Sequence, residues 1–397
     1  MPVTAGPEVV TLGCRLNIAE SETIAALLGD RDVVVVNSCA VTDAAVKQTR
    51  AAIRRARRAR PGAELIVTGC AAEIDREGFA GMVEVDRVVG NLDKLRPDHW
   101  GAVPISPSRF AGHARAFVGV QNGCDHRCTF CAIPFGRGPS RSVPAGAVVE
   151  RIAGLVAAGH REVVLTGVDV TSYGPDLPGS PTFGSLIERV LILVPGLERL
   201  RLSSLDSVEI DERLFALMTG EPRVMPHVHL SFQAGNDLVL KRMKRRHSRA
   251  QAVAVVERLK RARPEIAIGA DLIAGFPTED EAMFADTLAL VDDCDIVHAH
   301  IFPYSARAGT PAARMPQVAH EVRRERAARL RAAAAARKAA WLRGLVGSDQ
   351  SIVIERSGIK GHAGNFAEIH TAPAPPGSVQ RVRVTAATDT HLEGTTA

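Results

Sequence analysis

Three cysteines in one short segment carry the strongest chemical signal of the sequence. Cys124, Cys128 and Cys131 form a CxxxCxxC run within GCDHRCTFCAIPFGRG, directly after an apolar segment with the pattern of a strand. Three thiolates on one loop can hold three irons of a 4Fe–4S cluster and leave the fourth iron open. An open iron can be chelated by the amino and carboxylate groups of S-adenosylmethionine. The spacing therefore predicts a 4Fe–4S cluster that binds and reductively cleaves S-adenosylmethionine.

A structural zinc site is the alternative for the same cysteines. Such a site needs a fourth protein ligand in tetrahedral geometry. Asp125 and His126 lie inside the loop, where they are poorly placed to close that geometry. The position after a strand and the barrel pattern described below therefore favour the cluster.

Three further cysteines share a position relative to predicted strands although they are far apart in sequence. Cys14, Cys39 and Cys70 each follow an apolar segment at once, in VVTLGC, VVVVNSC and LIVTGC. Parallel strands end at one edge of their sheet, so we expect the three thiols to converge in the crevice where ligands bind. This placement predicts a second cluster. The alternative is a small buried hydrophobic residue, common for free cysteine, and we expect that role for Cys294.

The segments that carry these three cysteines alternate between strand and helix patterns. Strand patterns at VVTLGC, DVVVVNSCAVT and ELIVTGCAA are separated by helical patterns at 17–28 and 43–60. The alternation predicts an open, mostly parallel α/β sheet. A Pro-containing stretch at 96–113 has the composition of a linker, so we expect an N-terminal domain over 1–110.

Six more strand patterns follow at the spacing of βα units. They begin at Ala116, Glu162, Leu200, His227, Ile266 and Ile296. Six units predict an incomplete parallel (βα)6 barrel over 111–345, with reactive groups at the C-terminal ends of the strands. An Ala- and Arg-rich helix at 321–345 leads to alternating strands in SIVIER and SVQRVRV, which predict a small β-barrel over 346–397. The predicted fold class is therefore α/β with a small terminal β-barrel.

Polar side chains stand at the ends of several predicted barrel strands. Ser203, Gln233 and Asp271 each end one strand, where an inward polar group is costly unless it has a partner. We therefore predict that these residues bind S-adenosylmethionine. The alternative is that they stabilise loops or cap helices.

The composition restricts the class of protein. The 397 residues are 46% hydrophobic and 23% charged, which indicates a soluble globular chain of two or three domains. The sequence shows no basic leader and no apolar stretch of about 18 residues, so we expect no membrane association and a cytoplasmic location. In that reducing compartment the seven cysteines are expected to serve metal binding or catalysis rather than disulfides.

Two runs of basic residues bear on the partner. RRARRAR at 54–60 is interleaved with alanine and has the pattern of a solvated helix face, whereas KRMKRRHSR at 241–249 follows the fourth barrel strand, near the expected barrel mouth. The second run is a candidate for contact with RNA phosphates, with a solvated face as the alternative. Aromatic residues make up only 4% of the chain, which argues against a general single-strand binder and for recognition of a folded RNA loop.

Several longer motifs resemble the methylthiotransferase family of radical S-adenosylmethionine enzymes over nearly the full length of the chain. They are CDHRCTFCAIPFGRGPSRSVP, RLSSLDSVEID, HLSFQAGNDLVLKRMKRRH and FPYSARAGTPAARM. Within the family these motifs are most similar to the branch that acts on N6-threonylcarbamoyladenosine in tRNA. Phe135 stands where that branch is expected to have tyrosine, and SFQAG replaces a more usual SLQSG. Both changes leave the six cysteines intact.

The resemblance implies an N-terminal cluster domain, a radical S-adenosylmethionine barrel and a TRAM-like barrel. It implies that the cluster on the CxxxCxxC run forms a 5′-deoxyadenosyl radical. It implies that a second 4Fe–4S cluster, on Cys14, Cys39 and Cys70, holds the sulfur that is methylated and delivered to C2 of the adenine at position 37. Asp169, in TGVDVTSYG, is implied to bind the amino group of S-adenosylmethionine. The implied partners are the anticodon loop of tRNA and an electron donor such as a flavodoxin or ferredoxin.

Two alternatives stay open at this point. One keeps the chemistry and changes the substrate to isopentenyl-adenosine tRNA or to a ribosomal-protein aspartate. The other is a non-catalytic iron–sulfur or zinc protein that binds RNA, which would not cleave S-adenosylmethionine.

Overall fold

A computed structural model of the chain describes residues 6–100 and 113–396. Along these ranges lie an open parallel sheet, an incomplete barrel and a small closed barrel, which confirms the predicted fold class. Most of the predicted linker at 96–113 lies outside the described residues, and its first part forms a 3-10 turn over Pro97–Trp100 with Trp100 buried. Of the described helices, none has the length and the apolar composition needed to span a membrane.

The N-terminal unit is a parallel sheet with strand order β1-β2-β3-β4. Its elements are β1 (Glu8–Thr11), α1 (Arg15–Leu28), β2 (Val33–Ser38), α2 (Asp43–Ala59), β3 (Glu64–Gly69), α3 (Cys70–Ile74), α4 (Arg76–Ala80) and β4 (Arg87–Val88). Val35 of β2 packs in one cluster with Ile24 of α1, and Val36 packs in another with Ile53 of α2. Helices thus cover both faces, which explains the unbroken valine run. The sequence pattern does not predict β4, because a strand of two residues is too short to show alternation of apolar and polar side chains.

The central unit contains the six predicted βα repeats, with the first and third strand regions each in two pieces. Its strands are β5 (Ala116–Gly119), β6 (Gln121–Asn122), β7 (Arg141–Ser142), β8 (Glu162–Thr166), β9 (Arg199–Leu202), β10 (Ser204–Leu205), β11 (His227–Gln233), β12 (Ala267–Ala274) and β13 (Ile296–Pro303). Parallel pairing links β5-β8-β9 and β10-β11-β12-β13, and the short β6 and β7 pair antiparallel. Within the described residues β5 and β13 do not pair, so the barrel is open on that side.

Helices pack around the barrel strands, so the strand side chains that do not face these helices face the barrel interior. They are α5 (Ile133–Arg137), α6 (Ala145–Ala157), α7 (Phe183–Leu193), α8 (Glu212–Gly220), α9 (Asp237–Met243), α10 (Arg249–Ala262), α11 (Glu281–Asp293) and α12 (His320–Gly344). Alternate residues of β11 and β12, such as Leu230 and Leu272, belong to the large apolar core. Because side chains alternate along a strand, His229 and Asp271 face the other side, into the barrel interior.

The C-terminal unit is a closed barrel with strand order β14-β15-β16-β18-β17. Its strands are β14 (Asp349–Ile354), β15 (Lys360–Ala363), β16 (Glu368–His370), β17 (Val379–Ala387) and β18 (Leu392–Thr396). A buried ion cluster joins it to the central barrel: Glu162 accepts from Arg199 and Arg201, and Arg201 Nη1 donates to the carbonyl of Gly364 at 2.9 Å. The predicted boundary at 345/346 lies next to the end of α12.

Candidate functional site

The three N-terminal cysteines lie at the same edge of the N-terminal sheet. Cys14 is the N-cap of α1, Cys39 follows β2 directly, and Cys70 begins α3 after β3. The strand register pairs Ser38 with Gly69, so β2 and β3 end level with each other. Burial raises the pKa of the Cys39 thiol, and the neighbouring thiols of Cys70 and Cys14 raise it further. The structure therefore brings these three predicted site residues together.

Two glycines lie in tight contact with their neighbours in the loops that carry these thiols. Gly69 has φ +94°, and a Cβ there would lie 2.5 Å from the backbone N and O of Ser38. Gly13 has φ +96°, and a Cβ there would lie 2.8 Å from Cys39 Sγ. Ser38 Oγ accepts from the backbone N–H of Ala71 at 3.1 Å, which orients the start of α3. Glycine is required at both turns because any side chain would collide with its neighbour.

The CxxxCxxC cysteines form one loop after β6. The backbone N–H of Cys124 donates to Gly138 O, and that of Cys131 donates to Cys128 O, each at 3.1 Å. Burial raises the pKa of Cys124 to about 12 and that of Cys131 to about 11, and neighbouring thiols add to both shifts. Thiolates in this loop are therefore unfavourable without a bound cation. Three soft sulfur donors of this kind fit an iron–sulfur cluster, whose binding deprotonates them.

The two cysteine sets lie close to each other. Cys70 contributes to the raised pKa of Cys131, although the two residues belong to different units. Helix α3 packs against α5, and a Cβ at Gly136 would lie 3.1 Å from Cys70 Cβ. Asn91 Nδ2 lies 3.7 Å from Cys70 Sγ and donates to Gly136 O. Both sets of thiols therefore flank a common region between the N-terminal sheet and the barrel.

Asp169 lies beside the CxxxCxxC loop, where the resemblance places a ligand for S-adenosylmethionine. It helps line a cavity of about 190 Å³ together with Cys124 and His126, and its Oδ2 lies 2.8 Å from His126 Nε2. Burial opposes ionisation, but hydrogen bonds from His126 and from the hydroxyls of Ser172 and Thr171 hold the pKa of Asp169 below its usual range. The carboxylate is thus ionised and opens on a cavity next to the cysteines.

The other three predicted ligands of S-adenosylmethionine lie in different surroundings. Ser203 is the single residue between β9 and β10, and its buried Oγ has no hydrogen-bond partner among the described residues. Gln233 ends β11 with φ +68°. Asp271 lies three residues before the end of β12, and its Oδ1 is 3.1 Å from both His229 Nε2 and His300 Nδ1. These histidines line a cavity other than the one beside Cys124, so Asp271 is not gathered with the cysteine loop.

All four arginines of the second basic run bond to groups of the protein itself. Arg245 lies 3.1 Å from Asp206 and 3.9 Å from Cys128 Sγ, with 8% of its side chain exposed. Arg246 pairs with Asp206 at 3.0 Å and with Glu209 at 2.8 Å. The sequence interpretation of these two arginines as phosphate ligands stays a prediction, although Arg245 is buried and both side chains are paired with Asp206. It missed a cation at the cysteine loop because the acidic partners lie about 40 residues earlier in the sequence.

The first basic run forms ion pairs within its own unit. Arg54 lies 3.8 Å from Glu84, and Arg57 pairs with Asp86 across the sheet edge. Both carboxylates are partly exposed, as expected for a solvated helix face. Cys294, predicted to have a packing role, is fully buried in the large apolar core.

Comparison with known families and proteins gives consistent results. Residues 118–291 match the radical SAM superfamily, and residues 8–90 match a family described as uncharacterized protein family UPF0004. The threonylcarbamoyladenosine tRNA methylthiotransferase MtaB of Rickettsia prowazekii is 47% identical over 381 residues, covering 91% of this chain and 90% of that protein. The tRNA-2-methylthio-N(6)-dimethylallyladenosine synthase of Novosphingobium aromaticivorans is 36% identical over 393 residues, covering 90% of this chain and 89% of that protein.

A solved structure supports the fold. The radical S-adenosylmethionine methyltransferase TsrM from Kitasatospora setae matches with a TM-score of 0.52 and 16% identity, covering 73% of this chain and 66% of that one. At this identity the similarity concerns the arrangement of the strands and helices alone.

Proposed function

The chain belongs to the methylthiotransferase family of radical S-adenosylmethionine enzymes, and on this premise we propose that it adds a methylthio group to C2 of N6-threonylcarbamoyladenosine at position 37 of tRNA. The observation that carries the proposal is the approach of Cys70 to Cys131, which puts two sets of three thiols beside one region. The name of the relative with 47% identity supports the threonylcarbamoyl substrate.

The donor sets define which residues would hold the inorganic groups. Cys124, Cys128 and Cys131 would hold the 4Fe–4S cluster expected of the superfamily, and the N-terminal thiols would hold a second one. When bound, the first cluster supplies the electron that cleaves S-adenosylmethionine to a carbon radical, and the second supplies a site for the transferred sulfur. A radical is needed because C2 of adenine is neither acidic nor electrophilic enough for acid–base or nucleophilic work by side chains.

The residues of the chain bind and orient the reactants. The ionised carboxylate of Asp169 is available to accept hydrogen bonds from the ammonium group of S-adenosylmethionine in the cavity beside Cys124. Gln121 Oε1 accepts from the backbone N–H groups of Val168 and Asp169 at 3.0 and 2.8 Å, which fixes this turn. Burial of Cys39 and Cys70 limits the access of water to the N-terminal thiols.

Two partners follow from the proposed reaction. Position 37 lies in the anticodon loop, so this loop must reach the region between the two thiol sets. Reductive cleavage of S-adenosylmethionine consumes an electron from outside the chain, for which we propose a flavodoxin or ferredoxin.

The test is expression of the chain in a bacterial strain that lacks its own methylthiotransferases, followed by mass spectrometry of tRNA nucleosides. We expect 2-methylthio-N6-threonylcarbamoyladenosine with the wild type and with Cys294→Ala, and none with Cys124→Ala. A methylthiolated isopentenyl-adenosine, or a methylthiolated ribosomal aspartate with unmodified tRNA, would assign another substrate. No product and no cleavage of S-adenosylmethionine by the reduced protein would leave only the non-catalytic RNA-binding alternative.

A further inference from the structure

A second cavity, of about 310 Å³, lies at the open side of the central barrel. It is lined by β13, by α12, by Arg15 at the start of α1, and by Phe366 of the C-terminal unit. β5 and β13 do not pair within the described residues, so no strand pairing closes the barrel on this side. All three structural units therefore contribute to one cavity, and none of the six proposed cluster ligands lines it.

The lining of this cavity is cationic. It contains Arg15, Arg331 and Lys338, four histidines, and no carboxylate. Arg331 Nη2 donates to the carbonyl of Ile301 at 3.3 Å. Among the described residues, no carboxylate forms an ion pair with any of the three cations. Asp271 and Glu162 lie close enough to Arg15 to favour its charged form, but three cations without a directly paired carboxylate still favour an anionic ligand.

Two of the histidines, His227 and His298, add hydrogen-bonding groups rather than charge. Burial lowers the pKa of His298 to about 3 and that of His227 well below its usual value, so both rings are neutral at neutral pH. His229 and His300 lie against Asp271, each with a ring nitrogen 3.1 Å from its Oδ1. Asp271 thus orients two rings from behind, and Arg15, Arg331 and Lys338 contribute positive charge to the cavity.

The position of Arg15 relates this cavity to the proposed chemistry. Arg15 follows Cys14 directly, and its guanidinium lies 5.7 Å from the centre of the Phe366 ring. A residue that holds the N6 substituent must lie within one nucleoside's length of the place where C2 receives sulfur. The threonylcarbamoyl group ends in a carboxylate, the kind of anion that guanidinium and ammonium groups bind best.

We propose that this cavity binds the carboxylate of the substrate's N6 side chain and that Arg15 and Lys338 supply the cations that select it. The inference rests on the proposed function, because it names the group by which that substrate is distinguished from an apolar isopentenyl-adenosine. A phosphate of the tRNA backbone offers the same anionic chemistry, so the test separates the two sources.

The experiment measures the affinity of the reconstituted full chain for one tRNA carrying either N6-threonylcarbamoyladenosine or plain adenosine at position 37. We expect wild type to prefer the modified tRNA. Lys338→Gln should weaken binding of the modified tRNA roughly 10- to 100-fold and leave the other unchanged, since a charge-assisted hydrogen bond to the carboxylate is lost. Arg324→Gln removes an equal charge from the exposed side of α12, away from the cavity, and should change neither affinity.

Arg15→Gln should also weaken binding of the modified tRNA alone. Because Arg15 is the neighbour of Cys14, the iron content of this variant must be measured as well. An equal loss of affinity for both tRNAs would assign the cavity to a backbone phosphate and overturn the inference, as would unchanged affinities in Lys338→Gln. If these variants keep wild-type discrimination while wild type forms the methylthio product, the inference fails and the proposed function stands. If discrimination depends on Lys338 but the wild type forms no product, the cavity binds the carboxylate and the proposed function fails.

Discussion

Arg137 of the CxxxCxxC region donates from Nη1 to Oε1 of Glu20, a residue of α1, at 2.9 Å. Lys94 Nζ lies 2.6 Å from the other oxygen of Glu20, and the three side chains are at most 3% exposed. Arg137 also donates to Asn17 Oδ1, so this buried network joins the helix that follows Cys14 to the helix that follows Cys131. The relative position of the two thiol sets therefore depends on it.

The first prediction concerns this buried carboxylate. Burial opposes ionisation of Glu20, but Lys94 and Arg137 hold its pKa below the usual range. Glu20→Gln leaves two buried cations without a counter-ion, so we expect the free energy of unfolding to fall by about 3 to 5 kcal/mol. Urea denaturation measures it. Glu212→Gln, which removes the exposed partner of Arg258, serves as control and should change stability little. Equal effects of the two variants would contradict the network.

The second prediction is a dependence of stability on pH. Burial alone would raise the pKa of Glu162, but Arg201 and Arg199 outweigh it and lower the pKa to about 2. An unfolded glutamate titrates near 4.3, so the ionised group contributes its full stabilisation, about 3 kcal/mol, above that pH and loses it as the pH falls towards 2. The free energy of unfolding should decrease more steeply over this window in wild type than in Glu162→Gln. Parallel pH profiles would rule out the contribution.

The sequence predicts those parts of the site that depend on the nearest strand or helix, and it does not predict contacts between residues far apart in the chain. The convergence of Cys14, Cys39 and Cys70 is predictable, because each follows a strand and parallel strands end at one edge. The contact between Arg137 and Glu20 joins residues 117 positions apart, and no periodicity links them. Its only signal in the sequence is a basic residue in a segment otherwise suited to a tight turn.

The polar residues at strand ends show a second limit of the sequence. Asp169 lies beside the cysteine loop, because it stands three residues after β8, which pairs with the strand that leads into that loop. The sequence predicts Asp271 at a strand end as well, but it lies three residues before the end of β12, and its partners are His229 and His300 from both neighbouring strands. Which inward side chains meet depends on strand register, and register is set by tertiary packing rather than by the composition of one strand.

The third prediction is an iron count. After anaerobic reconstitution we expect roughly eight irons per chain, because two sets of three thiols each fit one cluster of four. Changing Cys124, Cys128 and Cys131 together to alanine should lower the count to about half, and the same change at Cys14, Cys39 and Cys70 should do likewise. If either triple variant keeps the full iron count, its three substituted cysteines are not cluster ligands. Cys294→Ala, in the apolar core, should keep all the iron.

The fourth prediction separates the roles of the two sets. Cys39→Ala should abolish the methylthio product while 5′-deoxyadenosine is still formed, because the CxxxCxxC loop and Asp169 remain intact. Liquid chromatography after incubation of the reduced protein with S-adenosylmethionine and substrate tRNA measures both compounds. Circular dichroism and retained iron on the other set establish that the variant is folded. If a folded variant loses both products to the same degree, the two sets do not act independently.

The last prediction concerns Arg245, a member of the basic run that is a candidate for RNA contact or a solvated face, whose Nη1 lies 3.9 Å from Cys128 Sγ. A cationic N–H near a ligand sulfur stabilises the more negative, reduced state of a cluster. Arg245→Met should therefore lower the midpoint potential of the radical cluster, on the order of 50 mV, about one factor of ten for a one-electron couple. Asp206 keeps Arg246 as its partner, so the loop retains an ion pair.

Lys244 provides the matched comparison, because it is the exposed neighbour of Arg245 in the same basic run. Lys244→Met should leave the midpoint potential unchanged. If Lys244 contacts tRNA, this variant should instead reduce the slope of log K for tRNA against log salt by roughly 0.7 to 0.9, the value for one phosphate contact. Potentiometric titration followed by electron paramagnetic resonance, with tRNA binding at three salt concentrations, measures both effects. An unmoved potential in Arg245→Met, together with a reduced salt slope, would return Arg245 to the RNA surface and would mean that its contact with Cys128 has no effect on the cluster.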